Sequence, residues 1–179
     1  LKQLRYQIAH LDDGTLNSEY PELASFIQEV GLTVTESKAD LIFLYQFLYV
    51  YGRKSEATYS RFRNELERFY LWSWLIAKKS VFDLKREDIE AYVDFMVEPD
   101  KAWAATSVQW RYKDEQGIRR LNQNWRPFML KESIASQQTL SSMFTALNVF
   151  YKFALLEEKT FANFVPVVKK NSPYLVVQS

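Results

Sequence analysis

Apolar residues return every three or four positions through most of this chain, and that period predicts helices. Pro21 to Val30 (PELASFIQEV) suits a short helix, with Pro in its first turn and Gly31 beyond its end. Leu41, Leu44, Tyr45 and Leu48 set the face of a second helix, Lys38 to Tyr51. Thr35 or Ser37 can cap it and Gly52 ends it. Ser55 is placed to cap a third. Its stripe is Tyr59, Phe62, Leu66, Phe69 and Ser73, widened by Leu71, Trp74 and Leu75. Ser60, Arg61, Asn64 and Arg68 fall between and face elsewhere. A fourth helix opens at Lys85-Arg86-Glu87-Asp88 and runs to Met96, with Ile89, Tyr92, Val93 and Met96 inward. Its acidic first turn suits the helix dipole.

The pattern fails between residues 99 and 131. Trp103, Trp110, Trp125 and Phe128 follow no period, and Arg and Lys interleave them. This reads as a long ordered loop with a short hairpin around Glu115-Gln116-Gly117. Ser136 to Leu156 is helical again: Leu140, Phe144, Leu147, Val149, Phe150 and Phe153 are apolar, and Gln137, Gln138, Ser141, Ser142 and Thr145 polar. Residues 160–168 form a last short turn ending near Pro166, and 169–179 a linker. Residues 1–37 are a lead, polar up to residue 20, with the turn signal Asp12-Asp13-Gly14 and then the short helix. The predicted class is all-α: a small bundle of four to five helices with a long aromatic-rich loop insertion at 99–131.

Composition narrows this picture. With 179 residues, 47% of them hydrophobic and 16% aromatic, the chain can bury a sizeable core in one domain. The absence of cysteine excludes disulfides, thiolate metal sites and a cysteine nucleophile. Leu41 to Tyr51, the longest apolar run, is too short to cross a bilayer, no signal peptide is visible, and a cytoplasmic location is expected. A chain opening on Leu reads as a piece of a longer one.

The net charge of +1 conceals segregation. Residues 53–79 hold 7 cations and 3 anions, and residues 101–131 hold 7 and 2. Residues 1–52 hold 3 cations and 7 anions, and residues 80–100 hold 2 and 7. A nearly neutral protein of this kind can present one positive face, or it can fold its acidic blocks onto its basic ones.

Catalytic chemistry is sparse. The single histidine, His10, has no partner at metal-ligand or acid–base spacing. There is no Gly-rich phosphate loop, and Glu87, Asp88 and Glu90 read as a solvated helix start. No metal, no cofactor and no small-molecule substrate are expected.

Several phrases, taken in order, resemble the core-binding (SAM-like) domain of tyrosine recombinases, the phage-integrase family. They are Ser55-Glu56-Ala57-Thr58-Tyr59, Arg68-Phe69-Tyr70-Leu71-Trp72, Asp88-Ile89-Glu90-Ala91-Tyr92, and Thr139-Leu140 with Ala146-Leu147-Asn148-Val149-Phe150-Tyr151. Trp125-Arg126-Pro127-Phe128, with Trp103 before it, is similar to a Trp-rich insertion in one bacterial and phage subgroup. Asn163-Phe164-Val165-Pro166 departs by two residues between Asn and Pro. The resemblance covers residues 38–168 and implies a bacterial or phage-encoded helical DNA-binding module. Strand exchange would belong to a C-terminal catalytic domain that the linker 169–179 would lead to. The family's His-x-x-Arg is not in this chain, so none of its 11 tyrosines is taken as a nucleophile and the piece itself is not expected to be an enzyme.

The partners so implied are double-stranded DNA and other protomers of the same recombinase, with no membrane. Arg53, Lys54, Ser55 and Thr58 would meet phosphate at a helix start. Ser60, Arg61, Asn64 and Arg68 would continue along a side face. Gln137, Gln138, Ser141, Ser142 and Thr145 would supply a second helix, the glutamines able to read an adenine edge. The rival reading is a helical protein-interaction domain with an aromatic groove.

Overall fold

Two serines start the two central helices. The computed structural model describes residues 21–105, 107, 109–129 and 135–176, apart from the side chains of Arg119 and Met129. The lead up to residue 20, with His10 and Asp12-Asp13-Gly14, and residues 177–179 of the linker lie outside the described residues. Six α-helices run through them: α1 Pro21–Val30, α2 Ser37–Gly52, α3 Glu56–Trp72, α4 Arg86–Val97, α5 Gln137–Leu156 and α6 Val165–Lys170. Ser55 and Ser136 have extended backbones, and their Oγ atoms accept the N–H of Thr58 and Thr139, both at 3.1 Å. Each satisfies one of the donors a helix start leaves orphaned. At α2 the expectation of a Thr35 or Ser37 cap fails. Glu36 holds the cap position without a side-chain bond, and Ser37 turns inward to donate to Ile27 O at 3.4 Å. Gly52 closes α2 where a Cβ would lie 2.8 Å from the Tyr59 ring, so the close approach of α3 requires glycine.

The core is built of interlocked rings. Phe47, fully buried on α2, meets Phe62 of α3 edge-on at 5.4 Å and Phe150 of α5 at 5.5 Å. Phe69 meets Tyr92 of α4 at 4.9 Å. Edge-to-face pairs of this kind add about 0.5–1.5 kcal/mol each beyond the area they bury. The expected stripes of α3 and α4 are buried, apart from half-buried Leu71 and one correction. A π-helical turn, Ser73–Ala77, extends α3 and ends at Lys78, whose φ is 56°. Leu75 on that turn is exposed rather than part of the core.

Beneath the turn sits a buried carboxylate. Asp40 of α2 accepts from Trp74 Nε1 (3.0 Å), Val81 N–H (3.1 Å) and Ser80 Oγ (2.7 Å), while its own carbonyl accepts from Tyr70 O–H (2.8 Å). Burial raises its pKa, and the Trp74, Ser80 and Val81 donors oppose the rise.

Pro166 opens α6 rather than ending the preceding turn, as a first-turn proline can. The segment after α6 folds back. Tyr174 O–H donates to Asp94 at 2.7 Å, and the Gln137 amide donates to Tyr174 O at 2.6 Å and accepts from Val176 N–H at 3.0 Å.

The wholly helical class needs correcting in the insertion. The protein is mostly helical with a small sheet component: β1 Ala104–Ala105 pairs in parallel with β4 Phe128–Met129, and β2 Tyr112–Glu115 pairs antiparallel with β3 Ile118–Leu121. Gln116 and Gly117, with φ of 54° and 80°, make the hairpin turn; positive φ at both central positions matches the right-handed strand twist. Pairing of four-residue and two-residue strands leaves no period long enough to read in sequence. Phe128, 1% exposed, anchors the insertion against Phe95 of α4 at 5.9 Å, and Trp103 packs on the same ring at 5.5 Å. Helix α5 is long and apolar enough to cross a membrane by length and composition, yet half of its apolar window is buried inside the fold.

Candidate nucleic-acid interface

Helix α3 has two sides with different chemistry. The stripe from Tyr59 to Phe69 faces the core, and Arg61, Asn64, Glu65 and Arg68 follow one another at helical spacing on another side. Arg53 and Lys54 precede the cap. Arg53, Lys54 and Arg61 are exposed and form no ion pair among the described residues, although Glu65 interacts electrostatically with Arg61. The Arg53 guanidinium lies 5.0 Å from the Tyr49 ring and that of Arg61 lies 5.3 Å from the Phe62 ring. Flat contact of this kind orders a cation without neutralising it.

The other expected α3 residues are partly engaged. Ser55 Oγ is used by the cap and also donates to Thr58 Oγ1 at 2.9 Å, which leaves the Thr58 hydroxyl proton to donate elsewhere. Ser60 is half-buried. Asn64 accepts from Arg111 at 2.5 Å. Arg68 pairs with Glu65 at 2.6 Å and covers the Phe128 ring at 5.4 Å. It works within the fold more than on its surface.

Helix α5 packs against α3 and presents Gln138, Ser141 and Thr145, all exposed. Thr145 Oγ1 donates to the Ser141 carbonyl at 2.9 Å, an ordinary use for a hydroxyl inside a helix. Ser142 is half-buried at the seam, beside Glu65. Gln137 does not join this face in usable form, because both ends of its amide hold the chain after α6. The structure therefore brings Arg61, Asn64 and Arg68 of α3 and Ser142 of α5 close to one seam, with Gln138, Ser141 and Thr145 on exposed positions of α5.

Sequence reasoning did not single out Glu65 as a site residue. It is buried, burial raises its pKa, and Arg68 beside it opposes that rise. The Glu65–Arg68 spacing of three was a signal for the pair. It also missed Arg111, whose Nε donates to Glu67 at 2.6 Å while its guanidinium lies 5.2 Å from the Trp125 ring. No local pattern announces a bond to a residue 44 positions away. Between α3 and the insertion lies a cleft of about 250 Å³, lined by Asn64, Arg68, Trp110, Arg111, Trp125 and Arg126 among others.

Among the described residues no cluster of three or more His, Cys, Asp or Glu is arranged to hold a metal ion. No protein-family model matches this chain, and no curated protein or solved structure matches it.

Proposed function

We propose that this chain is the DNA-binding module of a tyrosine recombinase or a protein built like one, a helical bundle that clamps one side of a recombination half-site. Strand exchange, and contacts with other protomers on DNA, would belong to the assembled enzyme. The observation that carries the proposal is the set of exposed cations Arg53, Lys54 and Arg61 along the start of α3, which form no ion pair among the described residues, on a helix that packs against α5. Cations without carboxylate partners are free to replace phosphate counterions, and short hydroxyl side chains let a sugar–phosphate backbone come close. Gln138 is the glutamine left to reach a base edge or a phosphate.

A labelled duplex titrated in fluorescence anisotropy at two salt concentrations tests this. Binding in the range of about 10⁻⁴ to 10⁻⁶ M that weakens steeply with salt is expected; binding indifferent to salt would refute it. On this reading the piece alone forms no covalent adduct with a nicked suicide duplex. A covalent band on a denaturing gel, lost on changing one Tyr to Phe, would reassign it as an enzyme.

A second reading rests on a different observation. An apolar groove of about 140 Å³ runs between α1, α2 and α3, lined by Leu23, Phe26, Tyr45, Leu48, Leu71 and Trp74 among others. It suits the apolar face of a partner helix. Salt-independent capture of an amphipathic peptide, lost on Phe26→Asp, would favour it.

A further inference from the structure

The α3 face offers charge and hydroxyls, and the neighbouring cleft offers an uncovered ring. Trp110 is 81% exposed on that cleft, which also takes in Asn64 and Arg68 of α3. The ring stands on a fixed base. Buried Asn122 donates through Nδ2 to Trp110 O at 2.7 Å and to Gln109 Oε1 at 3.3 Å, and its own Oδ1 accepts from Asn124 N–H at 3.1 Å.

Three guanidinium groups share the cleft, in two different states. Arg68 and Arg111 are offset by Glu65 and Glu67. Arg126 is exposed, and its NH1 donates to the carbonyls of Gln123 (2.7 Å) and Trp125 (2.8 Å). Those bonds hold its planar group in place without cancelling its charge. The cleft therefore joins a held cation, without an ion pair among the described residues, to an open indole.

That pairing fits one nucleotide: a phosphate for the cation and a flat base for the ring. Inside a duplex every base face is already stacked on a neighbour. An unpaired nucleotide has a face to offer, and its phosphate comes with it. We propose that this cleft holds an unpaired nucleotide of the strand carried on the α3–α5 face, with its base against Trp110 and its phosphate at Arg126. The proposal rests on the DNA-binding reading of that face, and it assigns the insertion to unpaired strand rather than to duplex.

The test compares three probes: a blunt duplex, the same duplex with a short oligothymidine overhang, and free oligothymidine. The wild-type protein is expected to bind the overhang duplex about tenfold more tightly than the blunt one, the scale of stacking one base. Trp110→Ala and Arg126→Ala should remove that gain and leave blunt-duplex affinity unchanged, while Trp110→Phe, which keeps a ring, should retain most of it. Unchanged thermal melting of these surface variants controls for folding. Equal wild-type affinity for blunt and overhang duplexes overturns the proposal, as does a gain that survives Trp110→Ala and Arg126→Ala. If the blunt duplex does not bind, the α3–α5 reading fails by itself and free oligothymidine decides: binding weakened by Trp110→Ala supports the cleft, and no binding overturns it.

Discussion

Residues 53–79 and 101–131 carry nearly equal excesses of positive charge, 7 cations against 3 anions and 7 against 2, and use them differently. In the insertion Arg111 and Arg120 act as fasteners. Arg111 reaches Glu67 on α3, and Arg120 reaches Glu22 on α1 at 3.5 Å and Glu115 across its own hairpin at 3.1 Å. Glu22 also takes the Leu121 N–H. In the earlier block the exposed cations Arg53, Lys54 and Arg61 have no such partner among the described residues, although Arg68 and Lys79 do. An excess counted along a stretch is therefore not a count of charge available to a ligand. Among the described residues each basic block takes one ion pair from an acidic block, Lys79 with Asp88 and Arg120 with Glu22.

The largest expected effect asks whether charge or apolar burial holds the insertion. Phe128→Ala should destabilise the protein by about 3–5 kcal/mol, since the ring is buried between α4 and the Arg68 guanidinium. Chemical denaturation measures this, and a loss under about 1 kcal/mol would mean that the ion pairs do the holding. Next, the combined change Arg53→Ala, Lys54→Ala and Arg61→Ala should weaken duplex binding at low salt by roughly tenfold or more. It should also flatten the plot of log affinity against log salt by about 0.9 for each phosphate left without its cation. An unaltered slope would remove these three from the interface.

A smaller effect concerns pH. Burial raises Glu65 above its ordinary value of 4.5, so the folded protein holds that proton more firmly than the unfolded chain does. The stability of wild type relative to Glu65→Gln should thus be highest below about pH 4.5, fall as pH climbs through the raised folded value, and stay flat above it. Urea unfolding of both proteins across that range checks the sign; a difference that grows with pH would reverse it. The smallest effect is expected for Arg120→Ala. Its pairs are exposed, so stability should change by less than about 1 kcal/mol and duplex affinity not at all. A loss of affinity comparable to that of the Arg53, Lys54 and Arg61 variant would erase the contrast between the two blocks.

Much of the helical part was legible in the sequence because helix capping and core stripes are local. Ser55 and Ser136 announce helix starts within three residues of the N–H groups they hold. Ile89, Tyr92, Val93 and Met96 announce an inward face by spacing alone. What escaped was decided at a distance. Asp40 and Glu65 look like surface residues until the elements that enclose them are assembled. Gln137 looks like a free reading head until residues 174–176 return to take its amide. Leu75 belongs to the stripe of an ideal α-helix, and a π turn moves it off. In the insertion only the Gln116-Gly117 turn carried a local signal; the pairing of Ala104 with Phe128 joins residues too far apart for any pattern. The candidate site was readable as a set of residue types, but which cations stand free depended on where the carboxylates went.

The Asp40 cluster has a consequence for exchange with solvent. The Val81 amide proton is held by a carboxylate 41 positions earlier in the chain, and Val81 itself is fully buried. No fraying of a helix end releases it. It meets water only when the whole ring of chain from α2 through α3 to the turn at Ser80 opens at once. In deuterium this single amide should exchange among the slowest in the molecule, at a rate set by global rather than local opening. Its decay would serve as an internal clock against which the loosening of every other element can be timed.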